Sequence, residues 1–233
     1  MTKKKLWKSD DELFAIVQRE LFTCVVGDVM DKLNLQHQFL PPQIQPLQQD
    51  MVVIGRAMPV LAVDVFAEKI AGTANKLMDK PFGLMLEALD DLRPNEVYVA
   101  TGGSFRYAFW GELMSIRARY LRAAGAVLNG FVRDAAGIEA LGFPTFSRGL
   151  YAQDQGPRGK VIDFRVSIEI EGVRIAPGDL IFGDREGVLV IPSEVAAEAI
   201  EAALEKASTE NRVAIAIRHG MGAREAFETY GVL

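Results

Sequence analysis

The chain has 233 residues, 49% of them hydrophobic, and a formal net charge of −5, enough apolar material for a sizeable core in one large or two small domains. It carries no long basic block, no apolar run of membrane-spanning length and no signal-peptide apolar region, so a cytoplasmic protein without nucleic acid or membrane partners is expected. One cysteine and two histidines exclude an internal disulfide, a cysteine-rich zinc site and a three-histidine site, so a catalytic metal is expected to be Mg²⁺ or Mn²⁺ on carboxylates and water.

Lys3-Lys4-Lys5 reads as a frayed, solvated terminus. Ser9-Asp10-Asp11-Glu12 is a capping-box pattern and predicts a helix from Asp10 to about Glu20. Thr23 is placed to cap a second helix with Val25, Val26, Val29, Met30 and Leu33 on its apolar side. Asp28 and Asp31 share a face of that helix; a solvated surface is the first reading and part of a metal site the second. His37 falls in a polar loop before the extended turn Leu40-Pro41-Pro42. Strands are predicted at Met51–Ile54 and Ala57–Val63, on either side of Gly55-Arg56. Pro81 to Leu89 has the pattern of an amphipathic helix, and Arg93-Pro94-Asn95 turns into a strand at Val97–Ala100. Gly102-Gly103-Ser104 has the composition of an anion-binding turn but precedes no clean helix start, so it reads as a loop. A helix is predicted from Trp110 to Ala124, with Leu113, Met114, Arg117 and Leu121 at helical spacing and Gly125 as its stop.

Strand Ala126–Asn129, helix Ala135–Leu141 closed by Gly142, and strand Thr145–Ser147 follow in quick alternation, the mark of α/β construction. Val161–Ile170 and Val173–Ile175 flank Glu171-Gly172, a hairpin signal. Leu180–Phe182 and Val188–Ile191 flank the turn Gly183-Asp184-Arg185-Glu186-Gly187. Ser193 is placed to cap a long helix to about Arg218, with His219 complementing its C-terminus. With no linker or repeat, residues 1–233 read as one α/β domain, a core over 20–192 and a helical arm over 193–233.

Gly130-Phe131-Val132-Arg133-Asp134 ends an apolar run with an arginine and an aspartate entering a strand–helix turn, where open sheets place ligand sites. Taken alone, the pair suits a surface ion pair or a helix-start aspartate better than a site. Dinucleotide-binding glycines, a phosphate-binding loop and a serine elbow are absent, and no lysine sits inside an apolar strand to serve Schiff-base chemistry. What remains is Glu112, the first-turn amides of Leu113 and Met114, Arg133 and Asp134. Free amides and an arginine grip a carboxylate, and a metal on Asp134 withdraws charge from a carbonyl, a set suited to a 2-oxo acid and its enolate. Phe105, Phe109 and Trp110 read as core or as a pocket floor, and Arg106 as a solvated charge or a second anion contact.

Gly111-Glu112-Leu113-Met114, Gly130-Phe131-Val132-Arg133-Asp134 and Gly142-Phe143-Pro144-Thr145-Phe146-Ser147-Arg148-Gly149 together resemble the RraA-like family. The family includes 4-hydroxy-4-methyl-2-oxoglutarate/4-carboxy-4-hydroxy-2-oxoadipate aldolases and the regulator of ribonuclease E activity. Val26-Gly27-Asp28-Val29-Met30-Asp31-Lys32-Leu33 and the stretch from Pro177 to Pro192 extend the similarity to roughly residues 20–231. The resemblance implies a stacked β/β/α swivelling fold, like phosphohistidine domains, assembled as a homotrimer or dimer of trimers with sites between subunits. It implies that Arg133 binds the substrate carboxylate and keto oxygen, Asp134 ligates Mg²⁺ or Mn²⁺, and Gly111, Leu113 and Met114 frame the pyruvyl carboxylate. Glu112, with twenty residues between it and Arg133, stands where the aldolases typically have Asp, and Glu210 is the candidate acid reaching a neighbour's site. The implied activity is a metal-dependent lyase on a small 2-oxo acid, with oxaloacetate decarboxylation as a side reaction; the segment Glu68–Lys80 is expected to read the far end of the substrate. The alternative is a non-enzymatic oligomeric regulator that binds a ribonuclease of RNA degradation.

Overall fold

The computed structural model describes residues 6–65 and 75–232, so Lys3-Lys4-Lys5 lies outside the described residues. Helix α1 (Asp10–Glu20) starts where the capping pattern places it. Ser9 Oγ accepts from the Glu12 N–H at 3.3 Å, while Glu12 Oε2 reaches one residue further back and accepts from the Lys8 N–H at 2.7 Å. Helix α2 (Thr23–Lys32) corrects the capping role given to Thr23, which is its first helical residue. Its N–H and hydroxyl both donate to the Asp184 carboxylate at 2.8 Å, so the cap comes from a turn 161 residues away.

The strands are β1 (Gln45–Pro46), β2 (Val53–Asp64), β3 (Glu96–Thr101), β4 (Ala108–Trp110), β5 (Gly125–Leu128), β6 (Phe131–Val132), β7 (Thr145–Ser147), β8 (Gly159–Phe164), β9 (Ile168–Ile170), β10 (Val173–Ile175), β11 (Leu180–Asp184) and β12 (Gly187–Ile191). The remaining helices are α3 (Met85–Asp90), α4 (Glu112–Tyr120), α5 (Ala135–Leu141), α6 (Ala196–Arg218) and α7 (Ala223–Tyr230). Where the sequence suggests two strands broken at Gly55-Arg56, β2 is continuous. A Cβ on Gly55 would stand 2.5 Å from the Asn95 carbonyl oxygen, so this glycine serves close packing against a neighbouring loop rather than a chain break.

In the main sheet β2, β3, β5 and β7 run parallel, while β11 and β8 lie antiparallel to the two halves of β2. At the far ends β1 pairs with β7, and Phe39 bridges Leu189 of β12, so the sheet is nearly closed. The two-residue alternation divides it cleanly. Val97, Val99, Val127, Ile181, Val188 and Val190 pack inward with the β9–β10 hairpin. On the outer face Met58, Tyr98 and Leu128 meet α3, α4 and α5, while Phe182, Leu189 and Ile191 meet α1, α2 and α6. This is the expected stacked β/β/α arrangement with a C-terminal helical arm.

Several local expectations are corrected by packing. Trp110 belongs to β4, because it pairs with Val132 of β6 and its indole N–H donates to the buried Ser115 Oγ at 2.7 Å. Helix α4 therefore begins at Glu112, ends at Tyr120 and buries Ser115 and Ala118, whereas Leu113 is 80% exposed. Gly125 opens β5 rather than only stopping a helix. The Pro81–Leu89 helix contracts to α3. The 161–170 run splits at Arg165, a left-handed residue (φ 56°) whose guanidinium holds Glu96 at 2.7 and 2.9 Å. Ser193 does not cap α6: its N–H donates to Asp179 Oδ1 at 2.9 Å, and Val195 precedes the helix with no side-chain cap. Asp28 forms an ion pair with Lys206 of α6 at 2.8 Å, which fastens the arm to α2.

Candidate active site

Two short parallel strands, β4 and β6, each run directly into a helix, α4 and α5, and so bring two strand ends side by side. The Arg133 N–H donates to the Trp110 carbonyl at 3.0 Å and fixes this register. Gly111 follows Trp110 at the crossing, where a Cβ would stand 2.8 Å from Asp134 Oδ2 and 3.4 Å from Arg133 Cγ. The glycine is what lets the two strand ends approach. Gly111 offers no side-chain cap, so the first N–H groups of α4 have no intrahelical acceptor.

Asp134 sits at the N-cap position of α5 in the left-handed region (φ 56°, ψ 36°), and its side chain makes no capping bond. A non-glycine residue there carries local strain of order 1 kcal/mol. The helix-start reading is thereby set aside: the carboxylate is half-exposed and not spent on the helix. Arg133 Nε lies 3.5 Å from Asp134 Oδ2, and its Nη1 lies 2.9 Å from Asp154 Oδ1. All three side chains are 39–47% exposed, so each pair contributes at most about 1 kcal/mol and a substrate anion can displace it.

These groups border a cavity of about 270 Å³. Phe82, Met85, Leu86 and Leu89 from the α3 region, Phe109, Trp110 and Gly111, and Leu113 and Met114 of α4 line it with Arg133, Asp134, Asp154 and Gln155. A second hollow of about 220 Å³ touches the other side of Arg133 and Asp134, against Leu150 and Tyr151. Tyr151 and Phe105 both pack on the ring of Phe131, at 5.6 and 6.0 Å between centroids. Phe109 and Trp110 thus serve as cavity wall as well as core, while Phe105 lies elsewhere, beneath the Arg148 guanidinium. Arg106 pairs with Asp64 at 3.2 Å.

Five of the sequence-derived residues, Gly111, Leu113, Met114, Arg133 and Asp134, come together on one cavity. Glu112 is adjacent but does not line it; its carboxyl group lies on α5 at Gly137, where a Cβ would collide with it. Glu210 hydrogen-bonds to Lys206 one turn earlier in α6 and does not line the cavity. Of the segment 68–80, residues 68–74 lie outside the described residues and residues 75–80 do not line the cavity; α3 and the turn before it do.

Asp154 is the residue that sequence reasoning missed. Its Oδ2 accepts from the Gly156 N–H at 2.9 Å, the local turn that Asp154-Gln155-Gly156 encodes. That signal marks a fixed carboxylate without naming its distant partner.

Among the described residues no group of three or more histidines, cysteines or carboxylates gathers to cage a metal. One half-exposed carboxylate, Asp134, with room for waters and substrate oxygens, is a donor set that suits Mg²⁺ or Mn²⁺. No helix among the described residues is long and apolar enough to cross a membrane.

The RraA-like family model, described as Aldolase/RraA, matches residues 23–190. Protein DlpA of Legionella pneumophila is 30% identical over 206 residues, which are 88% of this chain and 32% of DlpA, so the chain spans about a third of that relative. A Halalkalibacterium halodurans protein named "Putative 4-hydroxy-4-methyl-2-oxoglutarate aldolase" is 30% identical over 221 residues, 94% of this chain and 96% of that one. The crystal structure of an uncharacterized Pseudomonas syringae pv. tomato protein superposes with a TM-score of 0.81 at 25% identity, across 99% of each chain. The match covers well over half of the chain, and on that agreement of sequence and fold the chain belongs to the RraA-like family.

Proposed function

We propose that this chain is a divalent-metal-dependent lyase, a pyruvate aldolase that cleaves a small 4-hydroxy-2-oxo acid and decarboxylates oxaloacetate as a side reaction. The observation that carries the reading is the meeting of Arg133, Asp134 and the uncapped start of α4 on one cavity. The names of the aldolase-like relatives support the same chemistry.

The substrate carboxylate is taken by the Leu113 and Met114 amides, where the helix start favours negative charge. Arg133 donates to the 2-keto oxygen and stabilises the charge that develops there. Asp134 would hold Mg²⁺ or Mn²⁺, which would supply Lewis-acid polarisation of a substrate carbonyl. Water in the cavity removes the C4 hydroxyl proton, and Glu112, whose carboxyl packs on Gly137 of α5, takes no direct part; the C3–C4 bond breaks, C4 becomes a carbonyl, and protonation of the pyruvate enolate at C3 completes pyruvate. Loss of CO₂ from oxaloacetate gives the same enolate. The assembly is a homotrimer or a dimer of trimers, with Glu210 contributing to a neighbour's site. Exposed Leu86, Leu113, Ile116 and Tyr120 beside the cavity fit a subunit contact there.

The test is pyruvate release from oxaloacetate and from 4-hydroxy-4-methyl-2-oxoglutarate, with Mg²⁺, with Mn²⁺ and with EDTA. Metal-dependent release is the expected result. No release from any 2-oxo acid under either metal sinks the proposal and turns the reading to a binding protein.

A further inference from the structure

Asp154 lies between two arginines, which bond to different parts of it. Arg133 takes the carboxylate, with Nη1 2.9 Å from Asp154 Oδ1. Arg158 takes the backbone: its Nη1 donates to the Asp154 carbonyl at 3.1 Å. With the Gln153 amide turned so that its oxygen faces the guanidinium, both Nη atoms of Arg158 also donate to Gln153 Oε1 at 3.0 Å. The Arg158 N–H donates to the Gln155 carbonyl at 2.7 Å, which closes the turn, and its own carbonyl accepts from the Val65 N–H at 2.8 Å, just beyond β2. The Gln153 carbonyl accepts from the Ala108 N–H of β4 at 2.9 Å. One half-buried guanidinium thus braces the turn between the end of β2 and the strand that delivers Gly111 to the cavity. None of these bonds draws on a neighbouring subunit.

An arginine in a turn that carries a carboxylate ordinarily gains most by pairing with it, since a charge-assisted bond at both ends is stronger than one to a neutral oxygen. Arg158 instead directs its donors to neutral oxygens, and the Asp154 carboxylate is left to Arg133 and the Gly156 N–H. The planar fork spans the Gln153 and Asp154 oxygens together, which a lysine ammonium on a flexible stem does not do. We infer that Arg158 is a positioning residue: it fixes the Asp154 backbone so that the carboxylate aims the Arg133 guanidinium into the cavity. It acts through Asp154 and does not itself line the cavity. Its effect on turnover rests on the lyase reading; its effect on Arg133 does not.

Arg158→Met keeps the side-chain length and removes the fork, while Arg158→Lys keeps the charge without the fork. With oxaloacetate and Mg²⁺, each is expected to lower kcat about fivefold in the native chain and less than about twofold in an Asp154→Asn background, where the carboxylate is already gone. Equal losses in the two backgrounds overturn the inference, because a residue that only stabilises the fold lowers both alike. A native kcat in Arg158→Lys overturns it as well. Phenylglyoxal labelling at Arg133, read by peptide mass analysis, needs no turnover. Arg158→Met is expected to speed that labelling about threefold in the native chain, as Arg133 loses its partner, and to leave it unchanged in Asp154→Asn. Unchanged labelling in the native chain overturns the inference. If Arg158→Met does not fold, Arg158→Lys carries both measurements. If no chain releases pyruvate, the lyase reading falls and the labelling alone decides the role of Arg158.

Discussion

Arg133 and Asp154 meet at 2.9 Å across the cavity mouth, and the same guanidinium turns its Nε toward Asp134 at 3.5 Å. One cation is thereby shared between the carboxylate assigned to the metal and a carboxylate held by its own turn at Gly156. Asp154 orients the arginine and, in the reaction proposed above, would also compete with the substrate anion for it.

Replacing Asp154 by Asn keeps an acceptor for the Gly156 N–H and removes the charge. Steady-state kinetics with oxaloacetate should show KM falling roughly threefold as competition is relieved. Over the same comparison kcat should fall about tenfold as the guanidinium loses its fixed direction. A structural role alone would lower the melting temperature and leave this split absent.

Asp134 combines a left-handed backbone with the metal-holding role proposed above, so its two simplest replacements should part company. Asp134→Ala and Asp134→Gly are both expected to lose metal-dependent turnover. The glycine variant should be the more stable of the two by about 1 kcal/mol, because a left-handed conformation suits a residue without a Cβ. Thermal melts of the pair, beside the pyruvate assay, decide the matter; equal stability would contradict the backbone assignment.

Glu112 and Gly137 should be energetically coupled. Alanine for glycine inside a helix ordinarily stabilises by up to about 1 kcal/mol. At residue 137 the added methyl meets the Glu112 carboxyl, so Gly137→Ala should gain little in the native chain and disturb Glu112. The same change in a Glu112→Ala background should recover the full gain. Denaturant unfolding of the four chains yields the coupling, expected at 0.5 kcal/mol or more on the scale of contacting residues.

Cys24 carries a pH prediction. Its partial burial, and then its hydrogen bond to the Glu186 carboxylate at 2.8 Å, push the thiol from 9.0 to about 11. Alkylation by iodoacetamide should therefore stay slow through pH 9 and reach its midpoint near pH 11. Glu186→Gln should bring that midpoint down. The folded chain keeps this proton after the unfolded chain has lost it, so the contribution is fully present below about pH 9 and is lost as pH rises toward 11.

Much of the fold is legible in short windows. The Ser9 cap, the α5 boundaries with left-handed Gly142 at the helix end, and the strand Thr145–Ser147 follow from residues within a few positions of one another. Glu171 and Gly172 both take positive φ in the tight turn between β9 and β10, as their hairpin signal implies. Of the site, Arg133 and Asp134 were legible because a strand end and a helix start are both local signals.

The rest was decided by contacts that no window contains. Trp110 reads as helix until its indole N–H finds Ser115 and its backbone pairs with β6. Leu113 fits a buried helical face, yet it is exposed because α4 buries its small residues instead. Thr23 looks like a cap and is itself capped by Asp184. Asp154 announces its turn and conceals its arginine. The sequence by itself determined the elements whose hydrogen bonds close within a few residues, together with the apolar alternation that sorts the faces of the sheet. Tertiary structure alone decided which distant polar groups satisfy one another and which apolar side chains line a cavity rather than a core. Those outcomes depend on the packing of segments far apart in the chain, where local propensity is overridden by burial and by the need to pair every buried polar group.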